Sequence, residues 1–200
     1  MDRRLACLLS LLLLFAARPA AAQLTPRPKR ISPTPAYFPR AVFLGTYVKG
    51  GAVTPQLRAQ WEVTLIQERI DALVLIGEVG GGYAVGRPSN AGPRANLELV
   101  QLYQHTGLLG FGYRGSWPSG FHVGAHVLAG PLHYGAKYAL LPPEKRTAGL
   151  VDGRLQVGQS VGPFVVGAAV GYGEVFGTSV RSNALQYLGG LSVGLFLDWR

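Results

Sequence analysis

The chain has 200 residues, of which 48% are hydrophobic and only 14% charged; 28 are glycine, 14 are proline, one is cysteine, and the formal net charge is +9. Glycine at that frequency excludes a mainly helical protein, because each one weakens a helix interior by about 1 kcal/mol. A single cysteine excludes a disulfide framework.

The first segment is residues 1–22. "MDRR" is a short positive start, "LACLLSLLLLFAA" is apolar, and Ala20 and Ala22 form an A-x-A site. This is the pattern of a secretory signal peptide cut between Ala22 and Gln23. Arg18 and Pro19 end the apolar run too early for a spanning helix. Cys7 lies at the start of that run with Arg4 three residues before it, so no hydrophobic stretch precedes it as a lipoprotein signal requires. Cleavage removes Arg3, Arg4, Arg18 and Asp2, which lowers the net charge from +9 to +7 and leaves no thiol. Export sets nucleic acid aside as a partner for that charge and leaves anionic envelope polymers, lipopolysaccharide among them, or simple solvation.

Residues 23–40 follow as a basic linker. Pro26, Pro28, Pro33, Pro35 and Pro39 forbid a helix or an inner strand, and Arg27, Lys29, Arg30 and Arg40 keep it solvated. It reads as a spacer ahead of a folded domain at 41–200.

Within that domain the hydropathy period is two. Ten strands are expected, at 41–49, 57–67, 70–84, 95–105, 107–117, 120–130, 132–141, 148–159, 163–174 and 185–199. Eight is the alternative, if 41–49 is only an arm and one hairpin is irregular. Leu57, Ala59, Trp61, Val63 and Leu65 share one face of their strand; Phe121, Val123, Ala125, Val127 and Ala129 share another. Leu132, Tyr134, Ala136, Tyr138 and Leu140 form a third such face, opposite His133 and Lys137; Phe164, Val166, Ala168, Val170 and Tyr172 form a fourth. Turn residues separate the runs. "QERID", "QHTG", "AGP" and "SVGP" are expected at the periplasmic end. "GGAVTP", "GRPSNAGPR", "WPSG", "LLPPEKR" and "EVFGTSVRSN" are expected at the outer end.

The faces opposite the apolar ones are poor in charge and rich in small residues, as in Gly167, Ala169 and Gly171 or Gly190, Ser192 and Gly194. A surface in water would carry Lys, Glu and Thr there; a narrow lumen needs small residues. Aromatics stand toward the strand ends at Tyr47, Trp61, Tyr83, Tyr103, Tyr113, Trp117, Tyr134, Tyr172, Tyr187 and Trp199. Aromatic girdles at the two interfaces and strands of about 9–11 residues fit a bilayer. The expected fold is therefore all-β: an antiparallel up-and-down transmembrane β-barrel, about ten strands, with a soluble periplasmic barrel as the lesser alternative.

The last run, "LGGLSVGLFLDWR", aligns Tyr187, Leu191, Val193, Leu195, Leu197 and Trp199 on one face. It resembles the C-terminal recognition strand of bacterial outer-membrane β-barrel proteins, although here Arg200 follows the aromatic residue. The resemblance implies outer-membrane location, insertion by the barrel assembly machinery, and contact with outer-membrane lipid and lipopolysaccharide.

The inward faces collect Arg58, Glu62, Glu78, Glu98, Arg114, His122, His126, His133, Lys137, Asp152 and Arg154. Mixed signs in a narrow space read as a paired filling, because a lone buried charge is costly; a weakly selective pore is the rival. His122 and His126 lie about 13 Å apart along one strand at roughly 3.3 Å per residue, too far to share a zinc ion. No metal or cofactor is expected. "GGGYAVGRP" (80–88) opens no helix and is not a phosphate cradle. "SVRSNALQYLGG" (179–190) is similar to the H-x-S-N motif of outer-membrane lipid A 3-O-deacylases: Ser182 and Asn183 match, but Val180 stands at the His position. A serine without its general base is not activated. A structural or surface role without catalysis is therefore expected, ahead of a pore or a lipid A-modifying enzyme.

Overall fold

The computed structural model describes residues 38–85, 99–177 and 182–199. The signal segment, most of the linker, Glu98 and Val180 lie outside the described residues. Eight strands follow one another: β1 (Ala41–Lys49), β2 (Ala52–Gln67), β3 (Asp71–Val85), β4 (Leu99–Ser116), β5 (Phe121–Tyr138), β6 (Glu144–Val161), β7 (Phe164–Phe176) and β8 (Gly190–Trp199). Each pairs antiparallel with the next, and β1 pairs with β8 in the register Leu44↔Leu195, so the sheet closes into a barrel. Gly50 and Gly51 turn the chain between β1 and β2 with φ of 59° and 82°, a left-handed backbone that glycine adopts without strain. A short 3-10 helix, Asn183–Gln186, precedes β8.

The count of ten is corrected to eight. From Leu99 on, the segments expected at 95–105 and 107–117 fall in the single strand β4, and those expected at 120–130 and 132–141 fall in β5. "QHTG" and "AGP" are not turns. The β4–β5 register runs through them without a slip, from Thr106↔Leu132 to Leu109↔Ala129. Here the two backbones touch: a Cβ on Gly130 would lie 2.1 Å from the Gly107 carbonyl oxygen. Glycine marks close approach rather than reversal, and Pro131 merely withholds one donor from the ladder. With β4 continuous, the "WPSG" turn moves to the end of the barrel that holds Ala41 and Trp199.

Side chains alternate across the wall except at register shifts between Thr64 and Ile66 on β2 and between Leu99 and Gln101 on β4. Leu44, Leu57, Val127, Val170 and Leu195 point outward and are 47–63% exposed, while Arg58, Glu78, Asp152 and Arg154 point inward and are no more than 2% exposed. Around these positions the wall is thus apolar outside and carries its charges inside. Among the aromatics, Tyr83, Trp117 and Tyr172 are on the outer surface. Tyr47, Tyr134 and Tyr187 are not: all three are buried inside. Tyr47 lies on the inward parity of β1, and Tyr187 caps the 3-10 helix, ahead of β8.

On the long strands the alternation changes sense at Gly130. Below it, toward the termini, β5 turns His122 and His126 inward and Val123 and Val127 outward; above it, Leu132, Tyr134, Ala136 and Tyr138 face in, and His133 and Lys137 face out. Strand β6 does the same: Asp152 and Arg154 are inside with Val151 and Leu155 outside, but higher up Ala148 and Leu150 are inside with Lys145 and Thr147 outside. No residue is skipped. The parity continues and the chemistry swaps faces. His133 and Lys137 are therefore corrected from lumen to outer surface.

Candidate functional site

The centre of the lumen holds a ring of four charges. Arg58 on β2, Glu78 on β3, and Asp152 and Arg154 on β6 all occupy even-numbered, inward positions. Arg58 Nη1 donates to Asp152 Oδ2 at 2.6 Å and to Glu78 Oε1 at 3.3 Å. Arg154 donates to both oxygens of Glu78 at 2.8 and 3.1 Å and to Asp152 Oδ2 at 2.8 Å. Each arginine thus touches both carboxylates, and the two positive and two negative charges balance. Tyr47 donates its hydroxyl to Asp152 Oδ2 at 2.9 Å, and Gln56 Oε1 accepts from Arg58 Nε and Nη2 at 2.9 and 2.7 Å. The Phe43 ring lies 5.1 Å from Arg58 and 4.9 Å from Arg154. Desolvating four ions is expensive; these charge-assisted bonds offset it, even though Asp152 Oδ1 and Arg154 Nε are buried without a partner among the described residues.

Toward the termini the lumen is more open. Glu62 on β2 accepts from Arg114 on β4, and Arg40 bridges Glu62 at 3.4 Å and Asp198 at 3.2 Å. His126 and Gln156 line a cavity of about 30 Å³ beside them, room for one or two water molecules. The ring nitrogens of His122 meet the hydroxyls of Ser116 at 2.9 Å and Ser160 at 2.8 Å. This is a serine–histidine–serine chain rather than a hydroxyl–histidine–carboxylate relay. Among the described residues no group of three or more His, Cys, Asp or Glu side chains could hold a metal ion.

The opposite mouth is closed. Ala184, Tyr187 and Leu188, from the connection between β7 and β8, are at most 2% exposed and pack into one apolar cluster with Leu132, Tyr134, Tyr138 and Leu150. Ser182 fixes this cap. Its Oγ accepts from the Ala184 backbone N–H at 3.2 Å and from the Tyr134 hydroxyl at 2.9 Å, and donates to Glu144 Oε2 at 2.7 Å. Glu144 Oε1 accepts the Asn183 N–H at 3.3 Å. Ser182 is a helix cap held by a tyrosine and a carboxylate; that arrangement lacks the imidazole a serine nucleophile needs.

The sequence-derived lumen residues fall into three groups. Arg58, Glu78, Asp152 and Arg154 meet in one ring; Glu62, Arg114, His122 and His126 line the end near the termini. His133 and Lys137 are outside the barrel, and His133 Nδ1 lies 3.1 Å from Thr147 Oγ1. Sequence reasoning missed Phe43, Tyr47 and Gln56 as partners of the ring, and Glu144 as the anchor of the cap. The inward parity of β1, visible in Phe43, Gly45 and Tyr47, was the available signal for the first two. Nothing local marks Glu144, whose partner lies 38 residues away.

No protein-family model matches the chain, and no curated protein matches its sequence at a significant level. Among solved structures it is similar to the crystal structure of Neisserial surface protein A, at 12% identity and a TM-score of 0.49 over 80% of this chain and 94% of that one.

Proposed function

We propose that the chain is a small outer-membrane β-barrel with a structural or surface role, a filled lumen and no catalysis. One observation carries the reading: the apolar outer face has the height of a bilayer. On β5 it runs from Phe121 to Pro131, ten residue steps or roughly 33 Å of strand. At a tilt near 40° that stands about 25 Å tall, the height of the outward apolar band of such barrels. Trp117, its ring 5.6 Å from that of Phe121 and tilted by 46°, edges the belt near the termini. In water this belt would be an exposed apolar patch far larger than soluble monomers carry. On this reading β8, with Leu191, Val193, Leu195, Leu197 and Trp199 on its outward parity, is the strand read by the barrel assembly machinery, and it borders outer-membrane lipid. Tyr187, buried in the cap ahead of β8, does not stand on that outward face.

The filled lumen argues against a pore, and the partners of Ser182 argue against a deacylase. The test has two arms. The protein should fractionate with the outer membrane and resist carbonate extraction; recovery as a soluble periplasmic protein defeats the proposal. In planar bilayers it should show no steady conductance. A stable open channel would mean that the charges line a pore.

A further inference from the structure

Basic side chains are absent from most of the outer surface of this barrel. Among the described residues, the outward-facing strand positions carry Lys or His only at His105, His133, Lys137 and Lys145, and carry no Arg. All four lie on β4–β6 in three successive rows. His105, His133 and Thr147 are level with one another; Tyr103, Gly135 and Lys145 form the next row; Gln101 and Lys137 the third. The first row stands directly above the level of Gly130, where the outer face changes from apolar to polar.

The patch has a shaped floor. Gly135 lets the Tyr103 ring lie flat across the strand, since a Cβ there would sit 2.3 Å from Tyr103 Cε1. Tyr103 in turn lies 5.8 Å from the His105 ring and 6.4 Å from the His133 ring. A groove of about 160 Å³ opens above it, bounded by Lys137 and Lys145. Glu144 also borders the groove, but both its oxygens are engaged by Ser182 and Asn183 in the cap. Glu144 keeps its charge, so the two ammonium groups leave the groove net positive and supply the donors that a ligand can reach.

We infer that this strip binds a membrane lipid whose headgroup carries net-anionic phosphate. The inference rests on the membrane-barrel reading above. Lys137 and Lys145 supply the point charges that phosphate oxygens accept from. Tyr103 supplies an amphipathic surface at headgroup depth. The apolar belt, which begins one row below at Pro131 and Gly149 and continues through Leu109, Ala129 and Val151, receives the acyl chains. The continuity of the two surfaces selects a lipid over free phosphate, which would leave the belt unused.

The test uses the full chain folded in a neutral detergent and then presented with three probes: diphosphoryl lipid A, the same lipid A dephosphorylated, and inorganic phosphate. Native mass spectrometry counts the lipid retained. The phosphorylated lipid should be retained on the order of tenfold better than the dephosphorylated one, with each lysine contributing several-fold. K137Q/K145Q should reduce that preference to about twofold or less, and K145Q alone should give an intermediate value. Equal retention of the two lipids, or an unchanged preference in both variants, overturns the inference. Displacement of the lipid by low-millimolar inorganic phosphate shows a free-phosphate site and overturns it as well. Insertion of the same chain into phosphatidylcholine vesicles is measured in parallel. A chain that inserts but shows no preference loses the lipid site alone; a chain that never inserts loses the membrane reading and the lipid site together.

Discussion

The lower and upper halves of the β4–β6 wall obey opposite rules. Below Gly130 the wall hides charge and shows hydrocarbon, with Arg154 inside and Leu155 outside; above it the wall hides Leu132 and Tyr134 and shows His133 and Lys137. The strands are the same and the register is unbroken. On the membrane reading, what differs is the surrounding medium each half is built for. The lower half suits a solvent of lipid tails, and its narrow interior has to be filled with groups that satisfy one another. The upper half follows the ordinary arrangement of a protein in water, and the cap of Ala184, Tyr187 and Leu188 supplies its second layer. The two halves fill the same lumen, the lower one with paired ions beside a cluster of Phe43, Val165, Ala169 and Phe196, the upper one by packing apolar side chains.

Four single substitutions and one quadruple variant would break or sharpen that contrast. The largest effect belongs to Asp152→Leu, which strips Arg58 and Arg154 of the oxygen they share. It should cost about 3–5 kcal/mol, read as a lower urea midpoint. Replacing the whole ring with apolar side chains (Arg58→Met, Glu78→Leu, Asp152→Leu and Arg154→Met) should recover most of that loss, because a balanced buried ion set and a well-packed apolar one are often near equal in energy. A quadruple variant no more stable than D152L would show that the two kinds of filling are not interchangeable. Next comes Leu132→Ala in the upper half, where a fully buried leucine leaves a cavity; about 2–5 kcal/mol is expected in the same titration. Val127→Arg, on the outward face of the lower half, should cost about 2–4 kcal/mol when folding into bilayers. Gln101→Arg, outward in the upper half, should change stability by no more than about 0.5 kcal/mol. If Val127→Arg and Gln101→Arg were equally tolerated, the boundary at Gly130 would have no energetic meaning.

The period of two, the all-β class and the apolar face of the lower wall were legible in the sequence, because each strand there keeps one partner solvent along its whole length. Val127, Val170 and Leu195 could be placed from alternation alone. The upper wall could not. Reading its apolar residues as lipid-facing, by analogy with the lower wall, put His133 and Lys137 inside and divided β5 at Gly130–Pro131. A continuous strand whose two faces exchange character looks, in one dimension, like two strands with a turn between them. "AGP" and "QHTG" supply turn-like residues at that place for a different reason: the two backbones come into contact there. The members of the charge ring could be named from parity, but their pairing could not. Arg58 reaches Asp152 across 94 positions of the chain, and only barrel closure sets which inward charges meet.

That ring also bears on the order in which the barrel assembles. Two of its contacts are local: Arg58 and Glu78 are 20 residues apart on neighbouring strands, and Asp152 and Arg154 are two residues apart on one strand. The other contacts, Arg58 with Asp152 and Arg154 with Glu78, span 94 and 76 residues. Contacts of high sequence separation form late, after the loop-closure entropy has been met. Before closure, then, the β2–β3 hairpin and β6 each carry one positive and one negative charge within reach of each other. Within each piece the two ring charges cancel, and closing the barrel only exchanges neighbours among charges already paired.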